Sequence, residues 1–146
     1  MQFVRSFEPE AATQVSWAMR ILVLSSEGES GILGRRLAGL GGTVEACDEL
    51  FKALSDIIED PSGYGLFVID CDSANVGGLE AAQRAIQLVG EAACRVPVIL
   101  ISHECHEQRF PMERRVPVIL RAPLSAVSLK VGFEHALRDR LMFEAA

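Results

Sequence analysis

Three unbroken apolar runs punctuate the chain: Ile21-Leu22-Val23-Leu24, Leu66-Phe67-Val68-Ile69 and Val98-Ile99-Leu100-Ile101. Each is short, contains β-branched residues and lacks polar alternation, the pattern of a strand covered on both faces. A fourth run, Val116-Pro117-Val118-Ile119-Leu120, has the same character. Pro117 has no N–H to give a ladder, so it belongs at the start of a strand or on a sheet edge. A weaker strand, Thr43-Val44-Glu45-Ala46, follows the Gly41-Gly42 pair.

Helical spacing fills the gaps. Glu29 to Leu40 places Ile32, Leu33, Leu37 and Leu40 on one face and stops at Gly41, a suitable C-terminal cap. Asp48 is expected to cap a helix carrying Leu50, Phe51, Leu54, Ile57 and Ile58, which must end before Pro61. Leu79 to Ala93 continues through Ala82, Ile86 and Val89. Ser125 can cap the last helix, with Leu129, Phe133, Ala136, Leu137 and Leu141 facing inward. The segment from His103 to Arg115 has little apolar periodicity and contains Pro111, so the fourth helix is predicted to be short or irregular.

The order is β-α-β-α-β-α-β-(short)-β-α, an α/β alternation that implies a parallel sheet with helices on both faces and right-handed crossovers. Several folds satisfy it, among them the flavodoxin-like (βα)5 arrangement with strand order 2-1-3-4-5. Residues 1–18 are expected to form an arm or short helix outside this pattern, and residues 19–146 the domain itself.

At 146 residues the length is that of one domain, and 49% hydrophobic with 23% charged residues is a globular composition. The net charge of -6 argues against nucleic-acid binding. No stretch approaches the roughly 20 apolar residues of a membrane span. Glutamates in the first 17 residues leave no apolar centre for a signal peptide, so a cytoplasmic location is expected. The cysteines at 47, 71, 94 and 105 have no C-x-x-C spacing and read as thiols, with Cys71 and Cys94 as small core residues.

Ligands of open α/β sheets bind outside the carboxyl ends of the strands, so those positions carry the chemistry. The third strand ends in Asp70, followed by Cys71-Asp72-Ser73-Ala74-Asn75 and then Val76-Gly77-Gly78-Leu79-Glu80. The first runs into Ser25-Ser26-Glu27, the fourth into Ser102, and the fifth into Arg121-Ala122-Pro123. From about Arg20 to Arg140 this pattern resembles the response-regulator receiver family, the CheY-like domains. The resemblance implies the 2-1-3-4-5 order, Asp70 at the phosphoacceptor position, Ser102 as the switch hydroxyl and Pro123 as the proline before the last helix.

The departures from the family are as informative. Ser25 and Ser26 stand where the family has two magnesium-binding aspartates, and hydroxyls bring no negative charge. Glu27 falls one position late. Asp72 lies where the family offers a backbone carbonyl, and its side chain is a candidate to compensate in part. Asp70, Asp72 and Glu27 are thus the remaining metal-ligand candidates, and magnesium is expected to bind weakly or not at all. Ala122 occupies the lysine position, with Arg121 a candidate substitute if it swings back from the opposite strand face. His103 follows Ser102 where the family has a small residue, and Ile119 replaces the aromatic reporter.

The resemblance therefore points to a degenerate receiver, a pseudo-receiver that is not an enzyme. It would act in two-component-type signalling through protein contacts, independently of phosphorylation. Its partner would be a signalling protein or histidine kinase. A homodimer through the fourth-helix, fifth-strand and fifth-helix surface is a further expectation, with Val127 or Val131 exposed there. The alternatives are a working phosphoacceptor modified on Asp70 by a histidine kinase, and a small flavodoxin-like nucleotide-binding protein. Asp70 itself has a plain structural reading as a helix cap or a partner of Arg121. Beside two serines, its pKa is expected near the ordinary value.

Two other constellations carry less. His103-Glu104-Cys105-His106 gathers four metal-ligating residue types, but neighbours in sequence cannot all face one ion and no second half-site exists. Ser25 to Gly31 follows a strand and opens a helix, yet it lacks both phosphate-loop spacings and carries two glutamates.

Overall fold

The computed structural model describes residues 19–60, 62–89, 96–113 and 115–138. Five strands appear where the apolar runs predict them: β1 (Arg20–Leu24), β2 (Thr43–Cys47), β3 (Leu66–Asp70), β4 (Val98–Ser102) and β5 (Val118–Arg121). All pair in parallel, in the order β2-β1-β3-β4-β5. Pro117 sits just before β5, where its missing N–H costs no ladder bond.

Because side chains alternate across a strand, the runs feed two cores. Leu22, Leu24, Phe67, Ile69 and Leu100 face one side, where they pack with α2 (Leu50–Glu59) and α3 (Leu79–Val89). Ile21, Val23, Val68, Ile99 and Leu120 face the other, against α1 (Ile32–Gly39) and α4 (Ala126–Ala136). Gly132 lets α4 approach β5 closely, since a Cβ there would stand 2.9 Å from Cδ1 of Leu120.

Helix details differ from expectation in three places. The cap of α2 is Glu49, not Asp48: the Glu49 carboxylate accepts from the N–H groups of Phe51 (3.0 Å) and Lys52 (2.7 Å). α2 buries Leu50, Leu54 and Ile57 as expected, but with Ala53 beside them, while Phe51 is 73% exposed and Ile58 52%. α1 begins three residues later than the periodicity suggested, at Ile32, which is 54% exposed, while Leu37 is buried and Leu33 and Leu40 pack against the core as expected. Ser125 caps α4 as expected, its hydroxyl accepting from Ser128 N–H at 3.0 Å.

Between β4 and β5 the described residues form no helix. The chain turns back so that Arg109 and Ile119 exchange both backbone hydrogen bonds in an antiparallel bridge, 2.9 and 3.0 Å. The bridge covers the outer edge of β5, which would otherwise present unpaired backbone groups. The strap is fastened to the end of α4: His135 Nε2 donates to the Pro111 carbonyl at 2.6 Å, and its ring meets Phe110 edge-on. Arg138 also donates to the Pro111 and Met112 carbonyls.

Cys47, Cys71 and Cys105 are buried free thiols, and burial pushes Cys71 up to about 12. No helix among the described residues is long and apolar enough to cross a membrane. Readings that fell on residues 1–18, Cys94, Arg114 and Leu141 lie outside the described residues.

Candidate functional site

The parallel register sets the site. Leu24 pairs with Ile69, Asp70 with Ile101, and Ser102 with Arg121, so the strand ends arrive side by side at one rim. The strand ends therefore set Ser25, Ser26, Asp70, Ser102 and Ala122 along one rim, where Ser25 and Ser26 line one depression and Asp70 and Ala122 another. The rim is laced by backbone bonds from Cys71 N–H to the Ile101 carbonyl (2.8 Å) and from Ala122 N–H to the Ser102 carbonyl (3.1 Å). Gly77 and Gly78, at φ 93° and 98°, supply the left-handed turn that carries the chain from the rim into α3.

The two serines serve the loop. Ser25 is buried and its hydroxyl accepts from Glu27 N–H at 3.2 Å, while the Ser26 N–H donates to the Ser73 hydroxyl at 3.2 Å. They line a depression of about 380 Å³ that also holds Asp48 and Lys52.

The two rim aspartates differ sharply. Asp72 turns toward β4. Its carboxylate accepts from the Ser102 hydroxyl at 3.1 Å, from the His103 N–H at 2.9 Å, and pairs with His103 Nδ1 at 2.7 Å. Ser102 is fully buried, and its oxygen also accepts from Glu104 N–H at 3.0 Å. The switch-position hydroxyl is thus held from both sides, and His103 is tied to Asp72 at the rim. Asp70 is half-buried and accepts from the Asp72 N–H at 3.2 Å.

Burial, above all, raises the Asp70 carboxyl above the ordinary range. The Asp72 N–H pulls the other way, and the Asp72 and Glu27 carboxylates add to the rise. This corrects the expectation of an ordinary pKa: desolvation and nearby carboxylates both act, and the hydrogen bond from the Ser73 side chain offsets them only in part.

Asp70 and Asp72 share a pocket of about 360 Å³ with Glu27 and Arg36. Its apolar lining includes Ile32, Leu33, Ala122 and Leu124. Arg121 is not among the lining residues. Its guanidinium donates to the carbonyls of Cys105 (Nε, 3.3 Å) and His106, which fastens the β4–β5 connection instead of standing in for a lysine. Ile119 is buried in the core beneath.

Magnesium takes six oxygen ligands in near-octahedral order. Among the described residues no three His, Cys, Asp or Glu side chains lie so as to share one ion. Both oxygens of Asp72 are engaged by Ser102 and His103, and the serine hydroxyls carry no charge. These residues do not fit a magnesium site. The His103 to His106 run is likewise divided: His103 pairs with Asp72, Glu104 accepts from Leu79 N–H at 2.9 Å at the start of α3, and Cys105 is buried.

Two features of the site escaped the sequence. The Asp72–His103 pair joins residues 31 apart and needs the adjacency of β3 and β4. Arg36 has one faint signal, its four-residue spacing from Ile32 along α1, which places both beside the rim.

No model of a known protein family matches the chain, and no curated protein does. Solved structures similar in fold include two that differ in origin. One is the receiver domain of the sensor histidine kinase PA1611 from Pseudomonas aeruginosa PAO1, with magnesium coordinated in its active-site cleft. It has a TM-score of 0.62 at 17% identity and covers 83% of this chain and 98% of that one. The other is a fusion carrying the trimeric coiled coil of yeast Spc42, with a TM-score of 0.54 at 21% identity, over 87% of this chain and 78% of that one. At these identities the likeness is one of fold, and the fold is that of a receiver domain.

Proposed function

We propose that this chain is a degenerate receiver domain that works in two-component-type signalling by contacting other proteins, without phosphorylation and without a reaction of its own. The observation that carries the reading is the composition of the rim. Asp70 stands at the acceptor position with Ser25 and Ser26 beside it, while Asp72, the nearest other carboxylate, is committed to Ser102 and His103. Phosphoryl transfer to a carboxylate needs positive charge to offset the incoming group. This rim offers no dication cage, and Arg121 is bound elsewhere.

Protein contact has material to work with. Val127 and Val131 on α4 are 73% and 46% exposed. That face suits a signalling protein, a histidine kinase or a second copy of the chain.

The reading is tested by incubating the protein with acetyl phosphate and magnesium and measuring its intact mass. No stable gain is expected. Gain of one phosphoryl group, abolished in Asp70→Asn, would instead establish a working phosphoacceptor and overturn the proposal.

A further inference from the structure

We infer that the pocket beside Asp70 receives the side chain of an arginine or lysine from a partner protein, an inference that rests on the reading of the domain as a protein-binding module. Two carboxylates without a cationic partner, those of Glu27 and Asp70, line the pocket against one cation, Arg36, while the third, Asp72, is already engaged by Ser102 and His103 and adds its negative charge from the side. Arg36 is held back from them at least in part, since its Nη1 donates to the Leu124 carbonyl at 2.8 Å. Among the described residues no Lys or Arg nitrogen forms an ion pair with Asp70 or Glu27. A half-buried carboxylate without a cationic partner is costly to ionise, and an incoming cation removes that cost. The raised Asp70 carboxyl is in keeping with this.

The rest of the lining selects the form of the cation. Ala122 leaves room at the rim, and Leu33, Leu124 and the largely exposed Ile32 give an apolar wall. Long basic side chains combine an apolar stem with a charged head, which matches a pocket of that construction. Its volume of about 360 Å³ lies in the range of ligand sites and exceeds what one such stem occupies. The exposed Ile32 also offers contact to residues flanking the inserted one, so a segment of protein suits the site better than a free amine.

The test uses the full ¹⁵N-labelled chain and two capped five-residue peptides, one with a central arginine and one with citrulline in its place. The arginine peptide is expected to shift the amides of Leu33, Asp70, Asp72 and Ala122, and to bind about tenfold more tightly than the citrulline peptide, the factor a charge-assisted hydrogen bond supplies. Ala122→Lys places a cation of the chain's own in the pocket and should weaken the arginine peptide about tenfold. Asp70→Asn, which preserves shape, should do so too and serves if the lysine variant does not fold. Equal binding of both peptides, shifts confined to another surface, or undiminished binding to the folded variants would overturn the inference. So would n-butylguanidinium matching the peptide, which would point to a small free cation in place of a protein segment. If the arginine peptide does not bind while Asp70 still refuses a phosphoryl group, the occupant is wrong and the protein-contact reading stands. Phosphorylation of Asp70 would remove that reading whatever the peptide does.

Discussion

Along β3, Ile69 is fully buried between two helical layers, whereas Asp70, one residue on, is half-buried with a carboxyl raised above its ordinary range. β4 makes the same passage from Leu100 to Ser102, but there the polar residue is fully buried and bonded on both sides. In the sheet interior each residue adds apolar burial. At the rim the balance is set by whether a polar group has found a partner: Ser102 and Asp72 have, and Asp70 has found little. The interior thus holds the strands in register, and the rim is where the fold retains unsatisfied charge.

Mutation should separate the two regions by size and by sign. The largest effect belongs to the interior. Leu100→Ala removes a fully buried side chain from the core shared with α2 and α3 and should cost about 2–5 kcal/mol in urea denaturation. A loss below about 1 kcal/mol would mean that this part of the sheet is not packed as described.

At the rim, Asp72→Ala is the next largest. It strips the acceptor from the buried Ser102 hydroxyl and from His103, and should cost about 1–3 kcal/mol. The same change has a second readout. The Asp72 carboxylate helps to raise Asp70, so its removal should bring the Asp70 midpoint down, though not to the ordinary value, because burial is the larger cause. A ¹³C titration of the Asp70 carboxyl that fails to move would show that the two carboxylates do not sense each other.

The same division explains what could be read from the residues alone. Strand runs such as Val98 to Ile101 are legible because burial on both faces demands apolar residues without interruption. The 2-1-3-4-5 order was implied by the receiver resemblance that the polar residues ending those runs carry. Side-chain direction was not legible. Leu50, Leu54 and Ile57 of α2 face inward as read, but the edge of the buried stripe falls on Ala53, which leaves Phe51 and Ile58 exposed. Asp48 and Glu49 are both plausible caps, and the backbone decided for Glu49. The Asp72–His103 pair and the engagement of Arg121 with the β4–β5 connection depend on adjacency that no local pattern encodes.

Asp70→Asn gives the smallest effect and the one of opposite sign. Asparagine keeps an oxygen to accept the Asp72 N–H and removes a charge that burial disfavours. A carboxyl raised in the folded state favours folding most when protonated, and that contribution is lost as pH climbs from the ordinary carboxylate range through the raised value. Wild type and Asp70→Asn should therefore differ least in acid, and the variant should gain at neutral pH. Solvent reaches this half-buried group, so the gain should be at most about 1 kcal/mol. Urea denaturation of both proteins at acidic and neutral pH measures it. A variant that is less stable at neutral pH would mean that Asp70 is already paired and belongs with Asp72 among the satisfied groups. A gain that appears only above the carboxylate range would mark Asp70 as the one rim carboxylate whose charge the fold works against, and hence the place where an incoming cation has most to offer.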